Sequence, residues 1–468
     1  MIAMSRKRGH IGGGLVMASL VLLIIAVAVP RLGDAFAGPL VREVALDQQP
    51  IGALVDERSG RVFVLTANGS SADPHGDGQV RVFDAASGAL IHVENAGYRP
   101  CAIVDAGRAG HVFVAYSDAT TVTGAVLMLD AATGALPRVS ATGAARCGAA
   151  PVVDQRRGRV FFGGSDDSLS TLDAYSGRLL HTARMSGASG VSLAVDERSG
   201  RVFAAPADGD AVDVFDASNG RRLHTITLAG AHPPLSLLVD PRAGRLLAVD
   251  QTASTVSTVD TRANAVLKVA SVAPNPASWA LDGEAVGGRL LVGGDTAVSV
   301  LDTRTGTVVH TLTLGDRATR ILVDAATHHA FVLSADHLGP TNKVYVLDTR
   351  TGRLVTTLAL PGVPLDAALD ARHERLVVAD QRGLIDILDA RTGRLIHALG
   401  TVPSTIADVV IDASAGRAVV LHGHGFVAVR DRWDWMPAWL RTRAPFVPRQ
   451  RVSYQDAPAG VTIVDDTR

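Results

Sequence analysis

The sequence predicts an all-β protein built from repeats, a β-propeller of four-stranded antiparallel blades. Two short markers recur along the chain, and each has the composition of a hairpin turn between alternating apolar segments. A four-stranded unit of about 42 residues that repeats in this way is typical of a propeller blade. The composition agrees, because 40 Asp and 47 Gly against 6 Glu and 3 Lys favour tight turns over exposed helices.

The first marker is a hydrophobic residue followed by Asp, at the end of each predicted first strand. Seven of the nine copies have a Gly four to six residues later, and an apolar strand follows it. Nine copies predict nine blades, with eight blades plus an irregular repeat as the alternative. The marker aspartates are Asp56, Asp105, Asp154, Asp196, Asp240, Asp282, Asp324, Asp370 and Asp412.

The second marker is Asp-x-x-x-Gly, which predicts the turn between the third and fourth strands. Asp accepts hydrogen bonds from turn N–H groups, and Gly takes the positive φ that ends such a turn. One copy, which begins at Asp260, has Asn264 in place of Gly, and Asn also tolerates positive φ. The other copies are Asp84/Gly88, Asp130/Gly134, Asp173/Gly177, Asp216/Gly220, Asp302/Gly306, Asp348/Gly352 and Asp389/Gly393.

The combined pattern resembles a known repeat. Val-Asp-x-x-x-Gly-Arg-Val-Phe-Val, with Val-x-Val-x-Asp-x-x-Thr-Gly some twenty residues later, is similar to the extracytoplasmic, YncE-like YVTN-repeat β-propeller family. Pro50, Pro234, Pro276 and Pro364 each precede their marker Asp by six residues, as in that family's repeat. The resemblance implies a type of blade and no particular activity, since propellers differ widely in function.

The two ends of the repeat region predict how the propeller closes. The segment 40–46 precedes the first marker and is predicted to be the outermost strand of the last blade, which removes an exposed edge. The third strand of that blade is either 425–429 or 461–465, and we favour 461–465. The predicted organisation is therefore a propeller at 38–430, a Trp/Arg/Pro-rich insertion or tail at 431–460 and a closing strand within 461–468.

The N-terminal residues 1–37 predict a membrane anchor or a signal peptide. Arg6, Lys7 and Arg8 precede an uncharged apolar stretch, and 11–29 is just long enough to span a bilayer as a helix. Ala35-Phe36-Ala37 offers a cleavage site. We favour a retained anchor with an extracytoplasmic propeller; a secreted or periplasmic protein cleaved near Ala37 is the alternative.

The charge balance excludes one class of partner. The formal net charge is −1, and a general nucleic-acid binder carries a basic excess to neutralise phosphates. Function is instead expected in the loops between strands two and three and between consecutive blades, which share one face of a propeller. Polar residues there form a candidate ligand site, with solvated loop residues as the alternative: Arg99, Arg146, His232, Asn275, Arg317 and Arg320.

Two further sets of side chains suggest weaker site hypotheses. No cofactor is predicted, but Asp73, His75, His422 and His424 fall in loops that closure brings together, and such ligands suit a divalent metal. An Asp also recurs near the end of strand two, as a turn former or as part of a Ca²⁺ ring. These residues are Asp118, Asp166, Asp208, Asp250, Asp295, Asp336 and Asp380.

The cysteines and tryptophans add two more expectations. Cys101 and Cys147 lie in adjacent repeats near the predicted axis, which suggests a disulfide, with two separate thiols as the alternative. Trp433, Trp435 and Trp439, with Arg441 and Arg443 beside them, suit a membrane surface or a protein partner. Packing over the propeller is the third possibility for this segment.

Together these features favour a non-catalytic extracytoplasmic propeller that binds a protein or a small ligand on its loop face. An envelope enzyme, resembling a lactonase, a lyase or an amine dehydrogenase, with its site at the mouth of the central channel is the alternative. Converging polar groups with perturbed pKa values at the channel mouth would favour the enzyme. A purely structural envelope protein is the third hypothesis.

Overall fold

The computed structural model describes most of the propeller region, but not the N-terminal residues 1–39 or residues 430–452. The described residues are 40–68, 77–98, 100–117, 124–141, 150–164, 167–187, 191–233, 235–283, 288–335, 342–360, 362–400, 405–423, 425–429, 453–457 and 459–465. All of them belong to one unit, residues 36–468.

Nine four-stranded antiparallel sheets make up the described part of the chain, and they confirm the predicted nine-bladed propeller. A two-stranded hairpin and one 3-10 turn, η1 (Gly107–Ala109), complete the described elements. In each of blades 1 to 8, the four strands follow one another along the chain from the inner to the outer edge.

The strands of the first eight blades have the following bounds. Blades 1 and 2 contain β2 (Gln49–Asp56), β3 (Arg61–Ala67), β4 (Asp77–Asp84), β5 (Leu90–Tyr98), β6 (Pro100–Asp105), β7 (His111–Ser117), β8 (Gly124–Asp130) and β9 (Arg138–Ala141). Blades 3 and 4 contain β10 (Val152–Asp154), β11 (Arg159–Gly163), β12 (Ser168–Asp173), β13 (Leu179–Arg184), β14 (Val191–Asp196), β15 (Arg201–Pro206), β16 (Ala211–Asp216) and β17 (Arg222–Thr227). Blades 5 and 6 contain β18 (Leu235–Asp240), β19 (Arg245–Asp250), β20 (Thr255–Asp260), β21 (Ala265–Ser271), β22 (Ser278–Asp282), β23 (Arg289–Gly293), β24 (Ala297–Asp302) and β25 (Thr307–Thr313). Blades 7 and 8 contain β26 (Arg317–Asp324), β27 (His329–Ala335), β28 (Asn342–Asp348), β29 (Leu354–Leu360), β30 (Pro364–Asp370), β31 (Arg375–Asp380), β32 (Leu384–Asp389) and β33 (Leu395–Gly400).

Blade 9 is assembled from both ends of the chain. Its inner strands are β34 (Thr405–Asp412) and β35 (Arg417–Gly423), its third strand is β38 (Ala459–Asp465), and its outer strand is β1 (Leu40–Leu46). The register places Leu40 opposite Asp465, and Leu46 opposite Ala459. The N-terminal strand therefore closes the last blade as the sequence predicts, and 461–465 provides its third strand.

The other candidate for that third strand forms a separate hairpin. Strands β36 (Gly425–Val429) and β37 (Ser453–Ala457) pair with each other and with no blade. They lie between β35 and β38 in the chain, so the hairpin is an insertion in the second-to-third-strand loop of blade 9.

Both sequence markers are turns that end on a left-handed residue. The glycines after the first and second markers have positive φ, for example +66° at Gly60 and +70° at Gly88. Blades 7 and 8 have no Gly after the first marker, and His328 (φ +57°) and Glu374 (φ +56°) take the same conformation there. Asn264 replaces Gly in the second turn of blade 5 with φ +53°. Turn geometry is therefore kept even where the sequence departs from Gly.

The aspartates of the second marker hold these turns through their carboxylates. Asp173 Oδ1 accepts hydrogen bonds from the N–H groups of Tyr175 and Ser176, at 3.1 and 2.9 Å, and from the Ser176 hydroxyl at 2.9 Å. Burial alone would raise the pKa of Asp173, but these bonds and Arg159 outweigh it and lower the pKa. Because the folded pKa is lowered, such a carboxylate stabilises the fold above about pH 4 and the stabilisation is lost as the pH falls further.

The arginine that opens the second strand pairs with the same aspartate. In blades 3, 5 and 6, Arg159, Arg245 and Arg289 lie in register with the second-marker Asp and reach it at 2.8, 2.8 and 3.1 Å. Such partly exposed pairs contribute up to about 1 kcal/mol each. The Gly-Arg steps in the sequence are therefore part of the turn architecture.

The core of the described propeller lies between the blades. Each of its nine apolar clusters joins two consecutive sheets, and the cluster of Val62, Val64, Val419 and Ile463 joins blade 1 to blade 9. The second strand contributes most, because its apolar residues are buried on both faces, as in Val62-Phe63-Val64. A single blade has no core of its own, so each sheet depends on its two neighbours.

The glycine of the second turn also lies against the neighbouring blade. A Cβ on Gly352 of blade 7 would stand 2.6 Å from His310 Cβ of blade 6, and one on Gly134 of blade 2 would stand 3.0 Å from His92 Cβ of blade 1. Glycine is therefore required at these positions for its positive φ and for the close approach of two blades.

Among the described residues, no helix is both long enough and apolar enough to cross a membrane. The predicted anchor or signal peptide at 1–37 lies outside those residues.

Two glycine substitutions separate the requirement for positive φ from the requirement for close approach of two blades. Gly352→Ala adds a methyl group that collides with His310 in addition to a strained φ, whereas Gly60→Ala has the same strain with nothing within 4 Å of the new atom. We expect Gly60→Ala to lower the free energy of unfolding by about 1–2 kcal/mol, and Gly352→Ala to lower it by about 1–3 kcal/mol more. Urea unfolding followed by circular dichroism measures both. Equal losses for the two variants would contradict the close approach of the blades.

Candidate functional site

The antiparallel strands place two kinds of connection at opposite ends of each blade. Both marker turns lie at one end, the turn face. The loops between strands two and three, and the links from one blade to the next, lie at the other end, the loop face. Both ends of the described chain, Leu40 and Asp465, lie at the turn face. Candidate binding residues are therefore considered on the loop face and on the inner strands beneath it.

A polar depression of about 350 Å³ lies on the loop face over blades 5, 6 and 7. It is open to solvent and is lined by the second-to-third-strand loops of blades 5 and 6, by the link that follows blade 5 and by the first residue of β26 in blade 7. Its lining residues are Gln251, Thr252, Asn275, Pro276, Asp295 and Arg317. Two of the predicted ligand-binding residues, Asn275 and Arg317, thus come together in one site.

Asn275 is fixed at the centre of this depression. Its backbone has φ +50°, its N–H donates to Ser254 Oγ at 3.1 Å, and its side-chain Nδ2 donates to Asp295 Oδ2 at 2.6 Å. The guanidinium of Arg317 lies 3.5 Å from the other oxygen of Asp295. Asp295 is thus held between an amide and a guanidinium, and the side chains of Asp295 and Arg317 remain partly exposed.

His232 lies on the link between blades 4 and 5, on the same loop face. Its N–H donates to Asp250 Oδ2 at 2.6 Å, and its ring Nδ1 lies 3.6 Å from the same oxygen while the side chain remains largely exposed. Asp250 also accepts the N–H of Ala253 at 2.7 Å. In blade 8, Asp380 accepts the N–H groups of Arg382 and Leu384 in the same way. For these two aspartates the predicted turn role is confirmed.

Charged groups also converge on the inner strands of blades 7, 8 and 9. Arg320 pairs with Asp366 at 2.5 Å. Asp366 accepts the N–H of Val409 at 2.8 Å, and Asp408 accepts the N–H of Ala53 at 3.1 Å. Each carboxylate therefore joins its own blade to the backbone of the next, and Asp408 does so across the seam at which the propeller closes.

Arg320, Asp366 and Asp408 form what we call the inner arc, and burial sets its electrostatics. Burial raises the pKa of Asp366, and the charge of Asp408 adds to that effect, while Arg320 and the Val409 N–H oppose it. The side chain of Arg320 is 43% exposed whereas Asp366 is buried, so the guanidinium is the part of the pair that meets solvent. A buried carboxyl with a raised pKa beside a second Asp and an Arg has the composition of a proton-transfer site. Here, however, its oxygens are engaged by backbone and Arg320.

Sequence reasoning missed Asp366 and Asp408, although a signal was present. Seven of the nine repeats have a polar or sulfur-bearing residue four positions before the first-marker Asp. Ser192 occupies this position in blade 4 and accepts the N–H of Leu237 in blade 5 at 2.9 Å. The set is Cys101, Ser192, Ser236, Ser278, Arg320, Asp366 and Asp408.

The other predicted site residues are only partly described. Arg99, Arg146, Asp73, His75 and His424 lie outside the described residues. Arg317 and Arg320 belong to the inner strand β26 rather than to a loop. His422 lies within β35 and not in a loop; it is 1% exposed, with Nε2 3.7 Å from Glu43.

The metal hypothesis stays a prediction. Across the described ranges, no group of three His, Cys, Asp or Glu side chains is placed to hold a metal ion. Three of the four predicted ligands are outside those ranges.

Cys101 is disulfide-bonded and its sulfur lies 3.4 Å from the carbonyl oxygen of Ala115. Cys147 is not among the described residues, so its pairing with Cys101 stays a prediction. Trp433, Trp435, Trp439, Arg441 and Arg443 are also outside them, in the segment between β36 and β37.

The blades and the loop-face depression define a class, a nine-bladed propeller with a polar surface site and an inner arc of charged groups. A family model described as outer membrane protein assembly factor BamB matches residues 76–298 and 294–434. These matches cover well over half of the chain, so the chain belongs to that family.

Solved structures with a similar fold are distant in sequence. The crystal structure of the computationally designed Ika8 protein is 15% identical, with a TM-score of 0.50, covering 81% of this chain and 94% of that chain. BamB from Moraxella catarrhalis is 13% identical, with a TM-score of 0.46, covering 70% of this chain and 93% of that chain. No curated protein gave a significant match. At 15% identity the first likeness concerns the fold alone.

The bond that crosses the closing seam can be tested by substitution. Asp408→Leu removes the acceptor of the Ala53 N–H and leaves that amide unpaired, so we expect the free energy of unfolding to fall by about 1–3 kcal/mol. Asp408→Asn retains an acceptor oxygen and should lose less than half as much. Chemical denaturation of both variants provides the comparison, and an unchanged midpoint for Asp408→Leu would contradict the role of this bond.

Proposed function

We propose that this propeller is a non-catalytic binding module of the cell envelope that holds a protein partner on its loop face, over blades 5 to 7. The observation that carries the proposal is the depression around Asn275, Asp295 and Arg317. Its polar groups are held in place by one another, and the side chains of Arg317 and Asp295 remain 52% and 39% exposed. That arrangement suits the polar atoms of a polypeptide surface.

Family membership supports a protein as the partner. The family is described as an outer membrane protein assembly factor, and we infer by analogy that the partner is a component of a membrane-protein assembly complex. An envelope location agrees with the predicted anchor or signal at 1–37.

We also infer that the blades are of the YVTN type. The support is the pairing of the Gly-Arg step with the second-marker Asp, as between Arg245 and Asp260, which gives the repeat pattern a structural reason. The segment with Trp433, Trp435 and Trp439 is proposed as a second contact with a membrane or a partner. Its position in the chain, between two strands of a hairpin inserted at the loop face, supports contact on that face.

The second candidate function is an envelope enzyme with its site at the channel mouth. The inner arc of Arg320, Asp366 and Asp408 favours it, since burial raises the pKa of Asp366. The binding function is preferred because these carboxylates already accept backbone N–H groups of neighbouring blades. A carboxylate engaged in this way is a poor general base, since the fold loses a bond when it takes up a proton.

In-cell photo-crosslinking tests the proposed function. A photoreactive amino acid replaces Thr252 at the depression or, as the control, Ser87 on the turn face. We expect a discrete crosslinked protein from position 252 and none from position 87. Arg317→Ala and Asn275→Ala should each reduce that crosslink about tenfold, because truncating a central polar contact costs about 1.4 kcal/mol or more.

The matched control is Arg350→Ala, which removes an exposed arginine paired with Asp348 at 3.3 Å on the turn face. It should leave the crosslink unchanged, and none of the three substitutions should shift the melting temperature by more than a few degrees. A crosslink that persists at full strength in Arg317→Ala and Asn275→Ala, or that arises equally from position 87, would contradict the proposal.

A further inference from the structure

Asp213 in blade 4 and Asp386 in blade 8 occupy the same position of the third strand, two residues into β16 and β32. Each is essentially fully buried, at 0% and 1% exposure, and each faces the seam with the preceding blade. The third strands of the other described blades have other residues there, such as Ser257 and Ser299. The two aspartates can therefore be compared as buried carboxylates with and without hydrogen-bond donors around them.

The Asp213 carboxylate has donors on three sides. The N–H of Ser186, in the link from blade 3, donates to Oδ2 at 2.6 Å. The hydroxyl of Thr225, opposite Asp213 on β17, donates to Oδ1 at 2.5 Å, and the guanidinium of Arg222 lies 3.8 Å from the same oxygen. The buried Asp213 carboxylate therefore accepts hydrogen bonds on both of its oxygens.

Among the described residues, neither of the two side-chain donors has a counterpart at Asp386. The partner on β33 is Ala398 in place of Thr225, and the residue aligned with Arg222 is Leu395. The sequence position that corresponds to Ser186 is Pro361, which is outside the described residues and, as a proline, has no amide hydrogen. Among the described residues, Asp386 Oδ1 is enclosed and accepts no hydrogen bond.

The surroundings of Asp386 make its ionised form unfavourable. Val378 lies opposite Asp386 in the register, so Asp380, two residues further along β31, is on the same face. Burial first, and then the charge of Asp380, raise the pKa of Asp386 to about 6, while Arg382 opposes the shift. Arg382 is already paired with Asp380 at 3.0 Å.

In the core of this seam, Leu333, Val344 and Leu360 of blade 7 pack against Val378 and Leu388 of blade 8. The buried Asp324 of blade 7 lies at the turn-face end of its strand, where it accepts hydrogen bonds from its own turn. Arg320 and Asp366 form a charged pair between the inner strands of the same two blades, and Asp366 also accepts the N–H of Val409 in blade 9.

We propose that the seam between blades 7 and 8 is an acid-tightened joint with Asp386 as its sensor. When the Asp386 carboxyl is protonated the seam stays closed, and when it is ionised the loop-face end of the seam opens to water more often. The joint lies beside the inner arc of blades 7 to 9. That part of the loop face is therefore more mobile at neutral pH, where the joint opens more often, and more rigid at acidic pH, where it stays closed.

The sign of the effect follows from linkage. Because the folded pKa lies above the value for an exposed Asp, the stabilisation from protonation is fully present below about pH 4 and is lost as the pH rises through about 6. The turn aspartates act in the opposite sense and only below about pH 4. Burial also raises the pKa of Asp366 and of Asp105, so substitution of Asp386 is needed to separate its response from theirs.

Hydrogen exchange measured by mass spectrometry on the whole protein tests the joint. After correction for intrinsic exchange rates, the protection of β28, β30 and β32 should fall about tenfold between pH 5 and pH 7.5. The protection of blades 3 and 4 around Asp213 should stay constant. Asp386→Asn, which cannot ionise, should abolish the change in blades 7 and 8.

A gain-of-function variant provides an independent check. Ala398→Thr restores the hydroxyl that serves Asp213 in blade 4 and should reduce the pH response of the seam by at least threefold. Asp213→Asn is the matched control, and it should leave the response of blades 7 and 8 intact. Protection that does not vary with pH in the unmodified protein, or that varies equally in Asp386→Asn, would overturn the proposal.

Discussion

The fold depends on the seam between consecutive blades. Each blade buries apolar side chains on both of its faces, so a sheet such as β14 to β17 has no core except the one it shares with its neighbours. Bonds across the inner strands add direction to this packing, from Ser192 to Leu237, from Asp366 to Val409 and from Asp408 to Ala53. Because the blades form a closed series, the seam between blades 9 and 1 carries the same weight as any other.

The two turns of each blade explain much of the unusual composition. Aspartate is abundant because each blade has two turns whose N–H groups need an acceptor, and arginine is abundant partly because residues such as Arg245 pair with those turn aspartates. These charges are committed to the architecture and say little about ligands. The group at Asn275, Asp295 and Arg317 lines a depression on the loop face.

Much of the fold could be predicted because turns are local. A positive φ four residues after an Asp leaves a mark in the sequence, and so does the alternation of a strand. The exceptions, His328 and Glu374, weakened the marker without changing the turn. Contacts between blades could not be predicted in the same way: Arg320 was expected in a loop, and its partner Asp366 is on another blade. That Asp386 Oδ1 accepts no hydrogen bond from the described residues is recognised only once the register places Ala398 opposite Asp386.

Closure by the N-terminal strand makes the nine blades one cooperative body. The most direct test compares the chain 40–468 with the chain 47–468, which lacks β1 and so exposes the apolar edge around Val461 and Ile463. We expect 40–468 to unfold in one calorimetric transition, and 47–468 to unfold at least about 5 °C lower, with blades 9 and 1 exchanging hydrogen first. Equal melting temperatures and equal exchange in blades 9 and 1 would contradict it.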